Sequence, residues 1–112
     1  MAAKVYVSNS GIHGRGLFAK RSFKPGEIVG RYTGRKTRLS SEDHPHVMER
    51  YDEDGQLLEC VMGVGDFRFI NHNSNPNLEI DEETLEFRAV RHIGPGDELT
   101  WYYGDEFEAD RG

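Results

Sequence analysis

Apolar residues in this chain fall into short runs broken by turn formers. Val5 to Val7 is a first strand candidate, and a glycine-rich stretch from Gly11 to Gly16 runs into the apolar Leu17-Phe18-Ala19. Lys24-Pro25-Gly26-Glu27 predicts a type II turn, with proline fixing φ at the second position and glycine supplying positive φ at the third. A strand is expected from Ile28 to Thr33, closed by Gly34. Residues 40–56 are polar, and Pro45 could open a short helix through Tyr51. Leu57 to Met62 is apolar enough for a strand, and Leu85 to Val90 alternates with the period of two that a half-buried strand shows. A second turn at Gly94-Pro95-Gly96-Asp97 precedes a last strand from Glu98 to Tyr103. The pattern predicts a mostly β fold with little helix.

One internal echo stands out. Residues 21–27 resemble residues 91–97, and the match extends to Tyr32 with Tyr102 and Gly34 with Gly104, all at an offset of 70 (91 − 21). It suggests two similar turn-strand units related by a local pseudo-two-fold, although chance likeness of two short segments accounts for it as well. It is too short for a solenoid, which needs at least three repeats.

With 112 residues the chain suffices for one domain. Its 13 glycines suit many turns and short strands. A net charge of −6 argues against direct nucleic-acid binding, which needs clustered positive charge. It suits a basic protein or peptide partner, although on charge alone plain solubility is the better explanation. Cys60 is the sole cysteine, so neither an internal disulfide nor a cysteine-rich zinc site is expected. The scattered histidines, His44 and His46 among them, form no metal-ligand pattern. No segment has the length of a membrane span or the apolar run of a signal peptide, which makes a reducing cytoplasm the simplest location.

Three constellations carry chemistry. In His13-Gly14-Arg15-Gly16 the glycines would let backbone approach a ligand, but alone the loop reads more readily as a tight turn. In Arg68-Phe69-Ile70-Asn71-His72-Asn73-Ser74-Asn75-Pro76-Asn77, asparagines that both donate and accept suit a polar cofactor, where the plainer alternative is a loop tied by Asx turns. In Glu98-Leu99-Thr100-Trp101-Tyr102-Tyr103, three aromatics in a row cannot all face one core. They line either a channel able to hold an alkyl-ammonium group or a strand buried on both faces.

Taken in this order, the three motifs resemble the SET-domain family of protein lysine methyltransferases. That family carries Gly-x-Gly before apolar residues, then Arg-Phe-x-Asn-His-x-x-x-Pro-Asn, then Glu-Leu-Thr-aromatic-x-Tyr-Gly. The likeness runs from about Val5 to Phe107, with residues 40–62 as a short variable insert. It implies a single SET domain over residues 1–112, with a β-clip-like fold of several short sheets and a knot-like C-terminal crossing. Cysteine-rich zinc modules flanking it are not expected.

The resemblance also implies roles. S-adenosylmethionine would lie between the glycine loop and the Asn-His segment, held by backbone around Arg15 and Gly16, by the Asn71 side chain and the His72 backbone, with Phe107 near the adenine. Arg68 and Glu98 match a family ion pair at the crossing. Tyr103 falls on the active-site tyrosine, and Tyr32 and Trp101 line the lysine channel. The lysine must arrive neutral, and a dry channel lowers its pKa from about 10.4. No dedicated base stands out. Tyr103 in that role would need a strongly lowered pKa, so proton loss to water, with Tyr103 orienting the amine, is the expected route. Trp101 stands where the family usually has Tyr or Phe, and its bulk suggests a crowded channel that admits few methyl groups. Asn73-Ser74 and Tyr102 depart from the family pattern. The short C-terminal end leaves the channel to be closed by Phe107 and the tail, the substrate or a second subunit, so a homodimer is a further expectation. The expected activity is methyl transfer to a basic, histone-like protein, which would place the chain at chromatin, a nucleoid or a host nucleus. The alternatives are a non-catalytic module binding a basic peptide or the cofactor, and a small structural β module.

Overall fold

The computed structural model describes residues 4–103. Ten short strands and one 3₁₀ turn at Asp66–Phe69 make up its regular structure. The strands are β1 (Val5–Asn9), β2 (Arg15–Ala19), β3 (Ile28–Arg31), β4 (Gly34–Thr37), β5 (Val47–Tyr51), β6 (Leu57–Gly63), β7 (Asn71–His72), β8 (Leu78–Ile80), β9 (Glu86–Ala89) and β10 (Glu98–Trp101). They form three sheets in the orders β1-β2-β10-β7, β3-β9-β8 and β4-β6-β5. All pairs are antiparallel except β7 with β10, which run parallel and bring the Asn-His segment alongside the C-terminal strand.

The internal echo is a structural duplication. Phe23 and Ile93 exchange backbone hydrogen bonds of 2.9 and 3.0 Å. The Gly26 N–H donates to the Ala89 carbonyl at 2.7 Å, and its counterpart, the Gly96 N–H, donates to the Ala19 carbonyl at 2.8 Å. The Ala89 N–H reaches Glu27 and the Ala19 N–H reaches Asp97, both at 2.9 Å. Each partner set maps onto the other by the same offset of 70. The first strand of each unit therefore pairs with the second strand of the other, β2 with β10 and β9 with β3. Both turns place glycine at positive φ, +86° for Gly26 and +88° for Gly96, as the Pro-Gly spacing requires.

One core lies between the sheets. Leu17, Phe23, Leu78, Leu85, Phe87, Ile93 and Leu99 are all below 2 % exposed or close to it, and each such side chain contributes roughly 1.5–3 kcal/mol by leaving water. Phe67 stacks on Phe87 at 5.4 Å, joining the 3₁₀ turn to β9.

Residues 45–51 differ from the helix that Pro45 suggested. Val47–Tyr51 is a strand paired antiparallel with β6, because a partner strand satisfies the whole segment's backbone where an isolated turn of helix would leave most of it unpaired. The strand expected from Leu85 starts one residue later, since Leu85 sits at φ +62°, outside the extended region. The last strand ends at Trp101 rather than Tyr103, because its partner β7 is only two residues long.

Candidate functional site

The site grows from β7. Asn71 pairs with Thr100 and His72 with Trp101, and both β7 side chains are buried. The Asn71 amide nitrogen lies within donating distance of Ser10 Oγ, the His13 carbonyl and the Arg15 carbonyl, each at 3.1 Å, and of Glu98 Oε2 at 3.0 Å. Its two N–H groups are thus spent inside the protein. The amide nitrogen fixes the glycine-rich loop against β7. Ser10 completes the node: its hydroxyl lies 2.8 and 2.7 Å from the two Glu98 carboxylate oxygens and accepts from the Ile12 N–H at 2.9 Å. Glycine at position 16 leaves room for this node, since a Cβ there would press on the Glu98 carboxylate and shift it.

The expected Arg68–Glu98 ion pair is not formed. The Arg68 guanidinium donates instead to the carbonyls of Val64 and Gly65 at 2.8 and 2.9 Å and lies 4.3 Å from the centre of the Phe69 ring. The 3₁₀ turn curls Arg68 back onto the start of its own segment, while Ser10 and Asn71 take up the Glu98 carboxylate. Neither residue belongs to an ion pair among the described residues. The Arg15 guanidinium lies 5.7 Å from the Phe69 ring centre, so two cations flank one aromatic beside the loop.

Tyr103 follows β10 and is held by the segment it passes. Its backbone N–H donates to His72 Nδ1 at 2.9 Å, its hydroxyl donates to the Ile70 carbonyl, and its ring meets that of His72 edge-on at 5.2 Å. Burial pushes the phenol pKa up to about 12. Tyr32 is 4 % exposed, and its hydroxyl donates to the His46 carbonyl. Burial, and then the neighbouring Tyr103, raise its pKa to about 12 as well. Gly63 leaves the room for that hydroxyl, because a Cβ there would overlap it. Trp101 stands edge-on to Tyr103 at 5.6 Å and packs near Phe87, with its indole nitrogen buried and without a hydrogen-bond partner.

Tyr32, Trp101 and Tyr103 line one cavity of about 650 Å³. Ile70, Met48 and Leu85 add apolar wall, while Glu42, Glu49 and Glu82 bring carboxylates to the same lining. The arrangement offers an open aromatic recess whose lining carries three carboxylates and Arg68, which is suited to the alkyl stem and cationic head of a lysine.

The loop fits a small cofactor. Residues 11–15 are exposed, and at Gly11 and Gly14 a Cβ would meet nothing within 4 Å, so open space lies over backbone that Asn71 pins to β7. Arg15 and Gly16 lie here in β2, and His72 lies in β7 of the same sheet, with β10 between the two strands. Phe107 lies outside the described residues. Sequence reasoning missed Ser10, an ordinary serine before a loop whose partner Glu98 is 88 residues away. It also missed the carbonyls of Ile70 and His46, which no side-chain pattern can reveal.

Comparisons with known proteins point to one family. The family model described as SET domain matches residues 14–104. The chain is 34% identical over 115 residues to the human protein named histone-lysine N-methyltransferase 2B, covering 88% of this chain and 4% of that one. It is 30% identical over 108 residues to histone-lysine N-methyltransferase Suv4-20 of Caenorhabditis elegans, covering 89% and 38%. The chain thus spans only a small part of such relatives. A humanized mutant of the Chaetomium thermophilum Polycomb Repressive Complex 2, solved with a bound inhibitor, superposes with a TM-score of 0.73 at 26% identity, over 94% of this chain and 15% of that one. The methyltransferase domain of human PR domain-containing protein 2 shares the fold, with a TM-score of 0.69 at 21% identity, over 95% of this chain and 81% of that one.

Proposed function

The chain belongs to the SET-domain family, and from that premise we propose that it is a protein-lysine methyltransferase using S-adenosylmethionine. The observation that carries the reading is the meeting of Tyr32, Trp101 and Tyr103 in one cavity beside β7. When bound, the cofactor supplies an electrophilic methyl group. The backbone of residues 13–16 and of His72 would hold it, in the cradle that Asn71 and Ser10 keep in shape.

The protein's own work is selection, desolvation and alignment. Glu42, Glu49 and Glu82 draw in a positively charged segment. Loss of water around the amine, together with the positive charge of a bound cofactor, would lower its pKa and so favour the neutral form that can attack. The surroundings of Tyr103 argue against its acting as the base. Its phenol is raised to about 12, the opposite of what a proton acceptor near neutral pH needs, and its proton is engaged by the Ile70 carbonyl. Having donated, the oxygen retains lone pairs that can accept an amine N–H and orient the nitrogen. The ammonium proton leaves to water through the open groove. The indole nitrogen of Trp101 is buried, so this residue gives the cavity bulk and carbon surface rather than a polar contact, in keeping with a channel that admits few methyl groups.

Relatives named as histone-lysine methyltransferases make a lysine-rich, histone-like tail the first substrate to test. Calorimetry with S-adenosylmethionine should show saturable binding that Asn71→Ala weakens by roughly tenfold or more, because the loop loses its anchor. No binding by the unmodified protein refutes the reading. Binding without any transfer reassigns the chain to a non-catalytic module.

A further inference from the structure

Tyr32 is held in place by its own backbone and by a notch at the end of β6. Its N–H donates to the Leu85 carbonyl at 2.9 Å, and the carbonyl of the next residue, Thr33, accepts from the Val64 N–H at 3.0 Å. The side chain reaches the His46 carbonyl, which accepts both the Tyr32 hydroxyl and the Gly63 N–H, the latter at 2.8 Å. A carbonyl oxygen has two lone pairs, so one acceptor serves both donors. Gly63 is buried and is not among the glycines with positive φ, so its backbone conformation would admit other residues. What the position excludes is a side chain. A Cβ there would lie 2.7 Å from Tyr32 Cζ and 2.9 Å from Cε2, and nearer still to the hydroxyl, well inside the roughly 3.5–4.0 Å at which carbon atoms pack.

The strain of such a Cβ would fall on the phenol. β6 is the central strand of its sheet, paired with β4 on one side and β5 on the other, and Gly63 stands opposite Gly34 in that ladder. Its backbone has little room to withdraw, and the bonds at Tyr32 and Thr33 hold the facing chain. The open space beside the phenol is the cavity of about 650 Å³ that its ring lines together with Trp101. We infer that Gly63 is a positioning residue for this cavity: its missing side chain makes the notch that lodges the Tyr32 hydroxyl against the His46 carbonyl, and so keeps the phenol from narrowing the space a lysine would enter. The consequence for methyl transfer rests on the methyltransferase reading; the lodged hydroxyl does not.

Two measurements on the full chain test it. In the unmodified protein, NMR should show a Tyr32 hydroxyl proton protected from exchange with water and close to the Gly63 protons; a freely exchanging hydroxyl overturns the inference. In kinetics, Gly63→Ala should lower kcat/KM for a lysine-rich peptide by roughly 100-fold, the cost of moving an aligning wall by about 1 Å, with cofactor Kd held within about threefold. In a Tyr32→Phe background, where the first clashing atom is gone, the loss caused by Gly63→Ala should be about tenfold smaller. Should Gly63→Ala fail to fold, adding Tyr32→Phe should restore folding. Equal losses in the two backgrounds, whether of activity or of fold, would overturn the inference, as would full activity in Gly63→Ala or a loss confined to cofactor affinity. An unmodified protein that shows the protected hydroxyl but transfers no methyl would uphold the notch and refute the methyltransferase reading.

Discussion

Tyr32 and Tyr103 share a titration whose sign can be worked out. Both phenols are pushed up to about 12, against about 10 in an unfolded chain. Between those values the folded protein holds protons that the unfolded chain has released, so stability is intact below about pH 10 and falls as pH rises towards 12. Tyr32, at 4 % exposure, should carry most of the effect, on the order of 2 kcal/mol, while Tyr103, at 41 %, is screened by water. Denaturant titrations at about pH 9 and about pH 11 should therefore differ, and Tyr32→Phe should flatten the difference; equal midpoints in the unmodified protein would contradict the buried phenol. Trp101 carries a second residue-scale prediction. Trp101→Phe should shift products towards higher methylation states in mass spectrometry. Abundant trimethyllysine from the unmodified protein would contradict a crowded channel.

At the scale of elements, the turns were legible because proline and glycine act locally: Gly26 and Gly96 adopt the positive φ that their dipeptides demand. The duplication was legible for the same reason, since paired turns repeat the same local chemistry at one offset. Other elements were not. Gly34–Thr37 has no apolar alternation, because β4 is an exposed edge strand whose existence depends on pairing with β6. Val47–Tyr51 was misread because a proline before a mixed segment suits either state, and only the distant partner strand decides. The candidate site follows the same division. Tyr32, Trp101 and Tyr103 share one cavity and Asn71 and His72 pair with β10 beside it, whereas the Arg68–Glu98 pair does not form, since Ser10 and Asn71 meet the carboxylate first. Which of several polar groups reaches a carboxylate depends on distances of a few tenths of an ångström, and a motif does not carry them.

The whole molecule places two kinds of surface around β7: an open loop of backbone on one side, and an aromatic cavity with acidic lining on the other. A net charge of −6 acts in the same direction as that lining and favours approach of a basic chain. Channel closure by a second copy of the chain stays a proposal, which light scattering of the active protein can decide. The most direct test of the central proposal is transfer of labelled methyl from S-adenosylmethionine to lysine-rich peptides, with Tyr103→Phe run alongside. Label on lysine that falls by roughly 100-fold or more in the variant is the expected result, since an aligning group placed in the reaction centre is lost. Label that persists in the variant would contradict the role of Tyr103, and cofactor binding with no labelled lysine in either protein would contradict the enzyme.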